Sequence, residues 1–103
     1  MNDIIRKIIE AKDENTFLYL LHEEDVFDEA LFREYIENVR LVNIENTEKE
    51  MIIVIIERNE YILRNVVYHF LPDDSYVIKN FPPNMSDYVE QIHIENARLI
   101  RML

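Results

Sequence analysis

The N-terminal part of the chain spaces its apolar residues three and four positions apart, as residues are spaced along one side of an α-helix. Isoleucines at positions 4, 5, 8 and 9 predict a first helix over 2–11. The polar stretch 13–15 can cap a second short helix, and Asp25 or Asp28 can cap a third. The apolar stripe of the third helix consists of Leu31, Phe32, Tyr35, Ile36 and Val39.

Beyond Val39 the pattern favours β-strands. The run of β-branched residues from Ile52 to Ile56 is typical of a strand that is buried on both faces. Asn59-Glu60 and the polar stretch 72–75 are turn signals on either side of a further apolar segment. The four predicted strands are 40–44, 51–57, 61–71 and 76–81.

The segment 61–71 is ambiguous, because its apolar residues also recur at helical spacing. Pro82-Pro83 ends the last predicted strand, and Asn84 or Ser86 can cap a C-terminal helix. We therefore predict a single α+β domain over 1–103. Its N-terminal helices precede a four-stranded antiparallel meander, and a C-terminal helix packs on the sheet.

The chain contains no glycine and no cysteine. Without glycine there is no phosphate-cradling loop, dinucleotide fingerprint or nucleophile elbow, because each of these needs backbone that a Cβ would obstruct. Turns that require a positive φ must use Asn or Asp instead. Without cysteine there is no disulfide and no thiolate metal site, which fits a reducing compartment such as the cytoplasm.

The remaining reactive residue types form no catalytic or metal-binding pattern. His22, His69 and His93 are far apart in the chain and form no helical zinc-binding pair. Ser75 and Ser86 lie at a predicted turn and at a predicted helix start, and these positions account for both hydroxyls. We therefore expect a non-catalytic protein with no cofactor and no bound metal.

The formal net charge of −10 is concentrated in one half of the chain. Residues 1–50 hold 14 acidic and 6 basic residues, a net charge of −8, whereas residues 51–103 hold 7 and 5, a net charge of −2. Such a field repels nucleic acid and anionic lipid and attracts basic proteins. The most apolar window, 51–71, has four charged residues near its middle and is not expected to span a membrane.

The densest acidic segment, 22–39, divides into charges that a helix explains and charges that it does not. Asp28 and Glu29 lie at the predicted start of the third helix, where negative charge complements the helix dipole. Other carboxylates in the segment have no cation nearby in sequence, and two aromatic residues between them are of the type that anchors interfaces. A solvated surface is the alternative explanation. The predicted protein-binding residues are Glu23, Glu24, Asp25, Phe27, Asp28, Glu34 and Tyr35.

These features predict a small acidic binding protein of the cytoplasm that neutralises a basic protein surface. An immunity protein that inhibits a nuclease toxin has this character, because a nuclease displays the lysines and arginines that hold phosphate. Two alternatives stay open. One is a phage anti-defence protein that mimics the charge of nucleic acid, and the other is a homodimeric scaffold or regulatory subunit.

Overall fold

Five helices make up the regular structure in the part of the chain that the computed structural model describes, residues 3–9, 15–70 and 77–103. They are α1 (Asp3–Ile9), α2 (Phe17–Glu23), α3 (Glu29–Arg40), α4 (Lys49–Phe70) and α5 (Met85–Arg101). The long helices α4 and α5 pack against each other, and α1 and α3 complete the bundle around a shared apolar core.

The predicted α+β fold with its four-stranded meander is wrong. Helix α4 runs through the predicted strand 51–57 and through most of the predicted strand 61–71. The segment 40–44 contains the end of α3 and the turn that follows it, and 77–81 forms only an isolated bridge. The helical alternative for 61–71 is confirmed as far as Phe70, and α5 packs on helices instead of a sheet.

The β-branched run 52–56 forms a helix because burial outweighs local propensity. Placing five such residues in a helix costs about 2 kcal/mol in total relative to alanine. Burying one isoleucine side chain contributes roughly 1.5–3 kcal/mol, and α4 buries four, Ile52, Ile55, Ile56 and Ile62. In agreement with a helical register, Ile55 is 0% exposed and Ile53 is 45% exposed.

Asn59, which looks like a turn residue in the sequence, is a buried link between three helices. The Tyr35 hydroxyl of α3 donates to Asn59 Oδ1 at 2.6 Å. Asn59 Nδ2 in turn donates to Asn96 Oδ1 of α5 at 2.7 Å. Buried polar groups are tolerated when they are hydrogen-bonded in this way, so Asn59 fixes the mutual position of α3, α4 and α5.

Arg98 of α5 closes the carboxyl end of α3. Its guanidinium donates to the carbonyl oxygens of Val39 and Val42 at 2.8 and 2.7 Å, and its Nε lies 2.9 Å from Glu95 Oε1. The last carbonyls of a helix have no partner within the helix. A cation that binds them also complements the helix dipole, so Arg98 stabilises the carboxyl end of α3.

Helices α2 and α3 begin at side-chain caps. The Asp28 carboxylate accepts from the Leu31 amide at 3.0 Å, which confirms it as the cap of α3. Helix α2 is capped by Thr16, whose hydroxyl accepts from the Tyr19 amide at 3.2 Å. The predicted cap at 13–15 lies largely outside the described residues. Asn84 precedes α5 without a side-chain cap bond.

Candidate functional site

The predicted binding residues fall into two separate places, the junction between α2 and α3 and a groove beside α1. At the junction, Glu23 is the last residue of α2, Glu24 is its C-cap and Asp25 follows. The side chains of Glu23 and Glu24 are exposed and that of Asp25 is half-buried. We call these three residues the acidic corner.

The backbone of the acidic corner has a conformation that glycine usually supplies. Asp25 has a φ of 53°, and the Val26 amide donates back to the Leu20 carbonyl at 3.0 Å. Bonds of this kind close a helix with one left-handed residue after the cap. Asp tolerates this conformation better than most residues do, and it places a third carboxylate beside the other two.

The charges of the acidic corner oppose local stability. The carboxyl end of a helix carries partial negative charge and favours cations, yet Glu23 and Glu24 are both acidic. Within the described ranges no lysine or arginine nitrogen lies within 4.0 Å of either carboxylate. The nearest partner is His22, whose Nε2 lies 3.6 Å from Glu23 Oε1. Among the described residues, the fold therefore gains no ion pair with lysine or arginine from this concentration of charge.

An aromatic pair anchors the acidic corner to α4. The His22 Nδ1 atom lies 2.6 Å from the Tyr61 hydroxyl, and the two rings meet edge to face. Burial raises the pKa of Tyr61, and the carboxylates of Asp25 and Glu23 raise it further, while Asn65 and Arg64 act in the opposite direction. The carboxylates of Asp25 and Glu23 thus influence the pKa of Tyr61, a residue of α4.

A short extended segment, residues 77–81, fixes the other side of the corner, and we call it the strap. The Lys79 amide donates to the Asp25 carbonyl at 2.6 Å, and the Phe27 amide donates to the Lys79 carbonyl at 2.9 Å. These bonds form a parallel bridge between Val26 and Lys79. Asn80, with a φ of 58°, then turns the strap toward α5.

Two further predicted residues at the junction have structural roles. Phe27 is fully buried, and its ring packs on those of Phe17, Phe32 and Tyr88. The Asp28 carboxylate caps α3. A partner docked on the surface would not reach the Phe27 ring, so the exposed part of the predicted site at this junction is its carboxylates.

The remaining two predicted residues, Glu34 and Tyr35, line a groove of about 400 Å³ between α1, α2 and α3. Arg6 and Lys7 lie on the opposite wall, and Leu18 forms part of the apolar lining. Tyr35 is buried and bonded to Asn59. Glu34 is exposed and lines this groove, whereas Glu23, Glu24 and Asp25 do not.

Sequence reasoning missed the residues that hold the acidic corner in place. Tyr61 and Lys79 are 39 and 54 positions away from His22 and Asp25, the residues that they contact. The sequence pattern predicts that both residues lie in strands of a sheet, and a sheet would not bring them to the end of α2. No local signal marks either residue, since a half-buried tyrosine and an exposed lysine are common in any fold.

The described ranges, 3–9, 15–70 and 77–103, were searched by geometry for two kinds of feature, clusters of metal ligands and membrane-spanning helices. They contain no group of three or more His, Asp or Glu side chains arranged to hold a metal ion. None of the helices placed there combines the length and the apolar character needed to cross a membrane. Comparisons with protein-family models, with curated proteins and with solved structures find no match to this chain.

Proposed function

We propose that this chain is a non-catalytic binding protein whose acidic corner covers a basic surface of another protein. The corner presents Glu23 and Glu24 to solvent at the end of α2, with Asp25 beside them. An immunity protein that blocks a nuclease toxin is the type that fits best. Carboxylates of this kind can pair with the lysines and arginines that such a toxin uses to bind phosphate. We place the protein in the cytoplasm, where a chain without cysteine is at no disadvantage.

The observation that carries this proposal is the unfavourable position of the charges. Acidic residues at the carboxyl end of a helix cost stability, typically about 0.3–1 kcal/mol each. In natural proteins, features that break a local rule without compensation are concentrated at functional sites. A cationic partner would supply the missing counter-charge.

Electrostatics of this kind act mainly on the rate of encounter. A field from a chain of net charge −10 steers a basic partner toward the protein, and salt screens that attraction. The hydrogen bond from the Lys79 amide to the Asp25 carbonyl and the contact between His22 and Tyr61 hold the corner in one geometry before binding. Less ordering is then needed when the partner arrives.

Partner capture from a lysate of the native host tests the proposal when three immobilised proteins are compared. The first is the natural chain, the second carries Glu23→Lys with Glu24→Lys, and the third carries Glu45→Lys with Glu90→Lys. Glu45 lies in the connection between α3 and α4 and Glu90 lies on α5, and both are exposed. The third protein therefore has the same net charge as the second, with the corner unchanged.

We expect a basic protein that binds the first and third proteins, leaves them at high salt and is not retained by the second. Retention by the corner variant at the level of the natural chain would show that the interface lies elsewhere. Equal loss from both variants would show that binding follows net charge alone.

A further inference from the structure

The strap is fastened to the end of α4 by a hydrogen bond in which a histidine ring is the acceptor. The Ile78 amide donates to His69 Nδ1 at 3.0 Å. A backbone amide can only donate, so Nδ1 carries a lone pair and the proton of the neutral ring lies on Nε2. The charged form of histidine has a proton on both nitrogens. This hydrogen bond and a positive charge on His69 therefore exclude each other.

Two phenylalanines fix the orientation of the His69 ring. The ring stacks on Phe81 of the strap, with centroids 4.0 Å apart and an angle of 6° between the planes. The ring of Phe70 meets it edge to face at 5.2 Å. Because the ring is held in this plane, a proton added at Nδ1 points at the Ile78 amide. The ring is half-buried, so it remains within reach of protons from solvent.

No ion pair in the described part of the chain would compensate for the lost bond. There, no Asp or Glu oxygen lies within 4.0 Å of the His69 ring. The strap carries the cation of Lys79, and α4 carries the titratable side chains of Arg64 and Tyr68 before His69. Asp25, at the junction of α2 and α3, bonds to the strap through its backbone carbonyl. Protonation of His69 thus removes a contact of the strap without supplying another.

The residue after Ile78 forms the bridge that fixes the acidic corner. The Lys79 amide and carbonyl bond to Asp25 and Phe27, as described above. The Ile78 side chain is only 2% exposed and stays anchored in the core. Loss of the bond to His69 therefore loosens the backbone of the strap locally, next to the bridge.

We propose that His69 is a pH-dependent latch on the strap. The uncharged ring holds the strap through the Ile78 amide, and protonation releases that amide and loosens the neighbouring bridge to Asp25. Histidine ordinarily changes its charge between about pH 5 and about pH 8, so the latch is closed at the upper end of this range and opens as the pH falls. It goes beyond the proposed function, because it operates whether or not the acidic corner has a partner.

Hydrogen exchange of the full chain, followed by nuclear magnetic resonance at about pH 8 and about pH 5, tests the latch. Each amide is compared with the exchange rate of an unstructured chain at the same pH. His69→Asn keeps a side-chain oxygen that can accept from the Ile78 amide but does not titrate. The matched control is His93→Asn, at an exposed position on α5. Nitrogen shifts of the imidazole rings show which nitrogen carries the proton.

At about pH 8 the His69 ring should carry its proton on Nε2 alone. Protection of the Ile78 amide should fall about 5-fold as the His69 ring becomes charged, the equivalent of one typical hydrogen bond. Protection of the Lys79 amide should fall with it. The His93→Asn control should behave like the natural chain, whereas His69→Asn should protect the Ile78 amide equally at both pH values.

Four results would overturn the latch. In the natural chain they are a proton on Nδ1 of His69 at about pH 8, and protection of the Ile78 amide that does not change while the ring titrates. A third is an equal fall at the buried Ile62 in the middle of α4, which would indicate general destabilisation. The fourth is an equal fall in His69→Asn. The first three need no variant and decide the matter if His69→Asn does not fold.

Discussion

Asp25 and Asn80 lie on either side of the bridge between Val26 and Lys79, and both have a positive φ. The absence of glycine predicts that Asn or Asp fills such positions, and in the described ranges these two residues do so. Tertiary contacts decide which of the chain's many Asn and Asp residues adopt a positive φ. Asn59, by contrast, looks like a turn residue and is buried in a helix.

Replacing Asn80 by valine should lower the free energy of unfolding by about 1–2 kcal/mol, because a β-branched residue clashes with its own backbone at positive φ. Asn80→Gly should leave stability within about 0.5 kcal/mol of the natural chain, since glycine accepts this conformation. Urea unfolding of both variants measures the difference. Equal stabilities would mean that the turn at the strap does not need a left-handed residue.

Tyr35 should make the protein sensitive to alkaline pH. Burial raises the pKa of its hydroxyl, and Arg58 lowers it to a smaller extent. The folded chain then keeps a proton that the unfolded chain loses near pH ~10. This contribution to stability is fully present below that pH and is lost as the pH rises above it, by up to about 1.4 kcal/mol per pH unit.

Urea unfolding between about pH 8 and about pH 11 checks this effect when the natural chain is compared with Tyr35→Phe. The variant should be less stable at the lower pH, because Asn59 loses its donor, but its stability should decline less steeply with pH. Parallel curves would contradict the account of Tyr35.

At the scale of elements, helix α4 shows where a local sequence pattern fails to predict the secondary structure. Its residues 52–56 have the composition of a buried strand, and the chain around them contains apparent turn signals. The distinguishing feature is length, because 22 residues from Lys49 to Phe70 lack any proline or glycine and keep helical spacing throughout. The helices α1, α2 and α3 are predictable from their apolar spacing, and for α3 the predicted cap Asp28 also agrees with the structure.

Alanine substitutions within the β-branched run distinguish the helix from a strand. Ile53 and Ile55 would share one face of a strand, whereas in α4 they lie on opposite sides. Ile55→Ala should cost about 2–5 kcal/mol of unfolding free energy, and Ile53→Ala less than about 0.5 kcal/mol. Chemical denaturation gives both values, and similar large losses at the two positions would indicate a strand.

At the scale of the whole molecule, the sequence predicts the charge asymmetry. It predicts the location of the candidate site only in part. Glu23, Glu24 and Glu34 are predicted from the sequence because they have no local cation, whereas the sequence explains Asp25 as a possible helix cap. Phe27 and Tyr35 were included because burial of an aromatic residue cannot be judged without the fold. The exposure of Phe70 and Val77 is not predictable for a similar reason, since both lie within predicted strands.

Reversing the charge of the acidic corner should stabilise the isolated protein. Glu23→Lys with Glu24→Lys places cations at the carboxyl end of α2 and reduces repulsion, a gain of about 0.5–1.5 kcal/mol at low ionic strength. Glu45→Lys with Glu90→Lys reduces the net charge by the same amount and should increase the free energy of unfolding by less. Thermal unfolding at low and high salt measures both, and a loss of stability in the corner variant alone would indicate a structural role for these carboxylates.

Nuclear magnetic resonance of the isotopically labelled chain tests the central claim most directly, during titration with a cationic peptide built from repeated Lys-Ser-Ser-Lys units. The acidic corner predicts that amide shifts change at 22–26, at Tyr61 and along 77–79, and that Glu23→Lys with Glu24→Lys abolishes those changes. Shifts centred on the groove between α1 and α3, or spread evenly over exposed carboxylates, would contradict it.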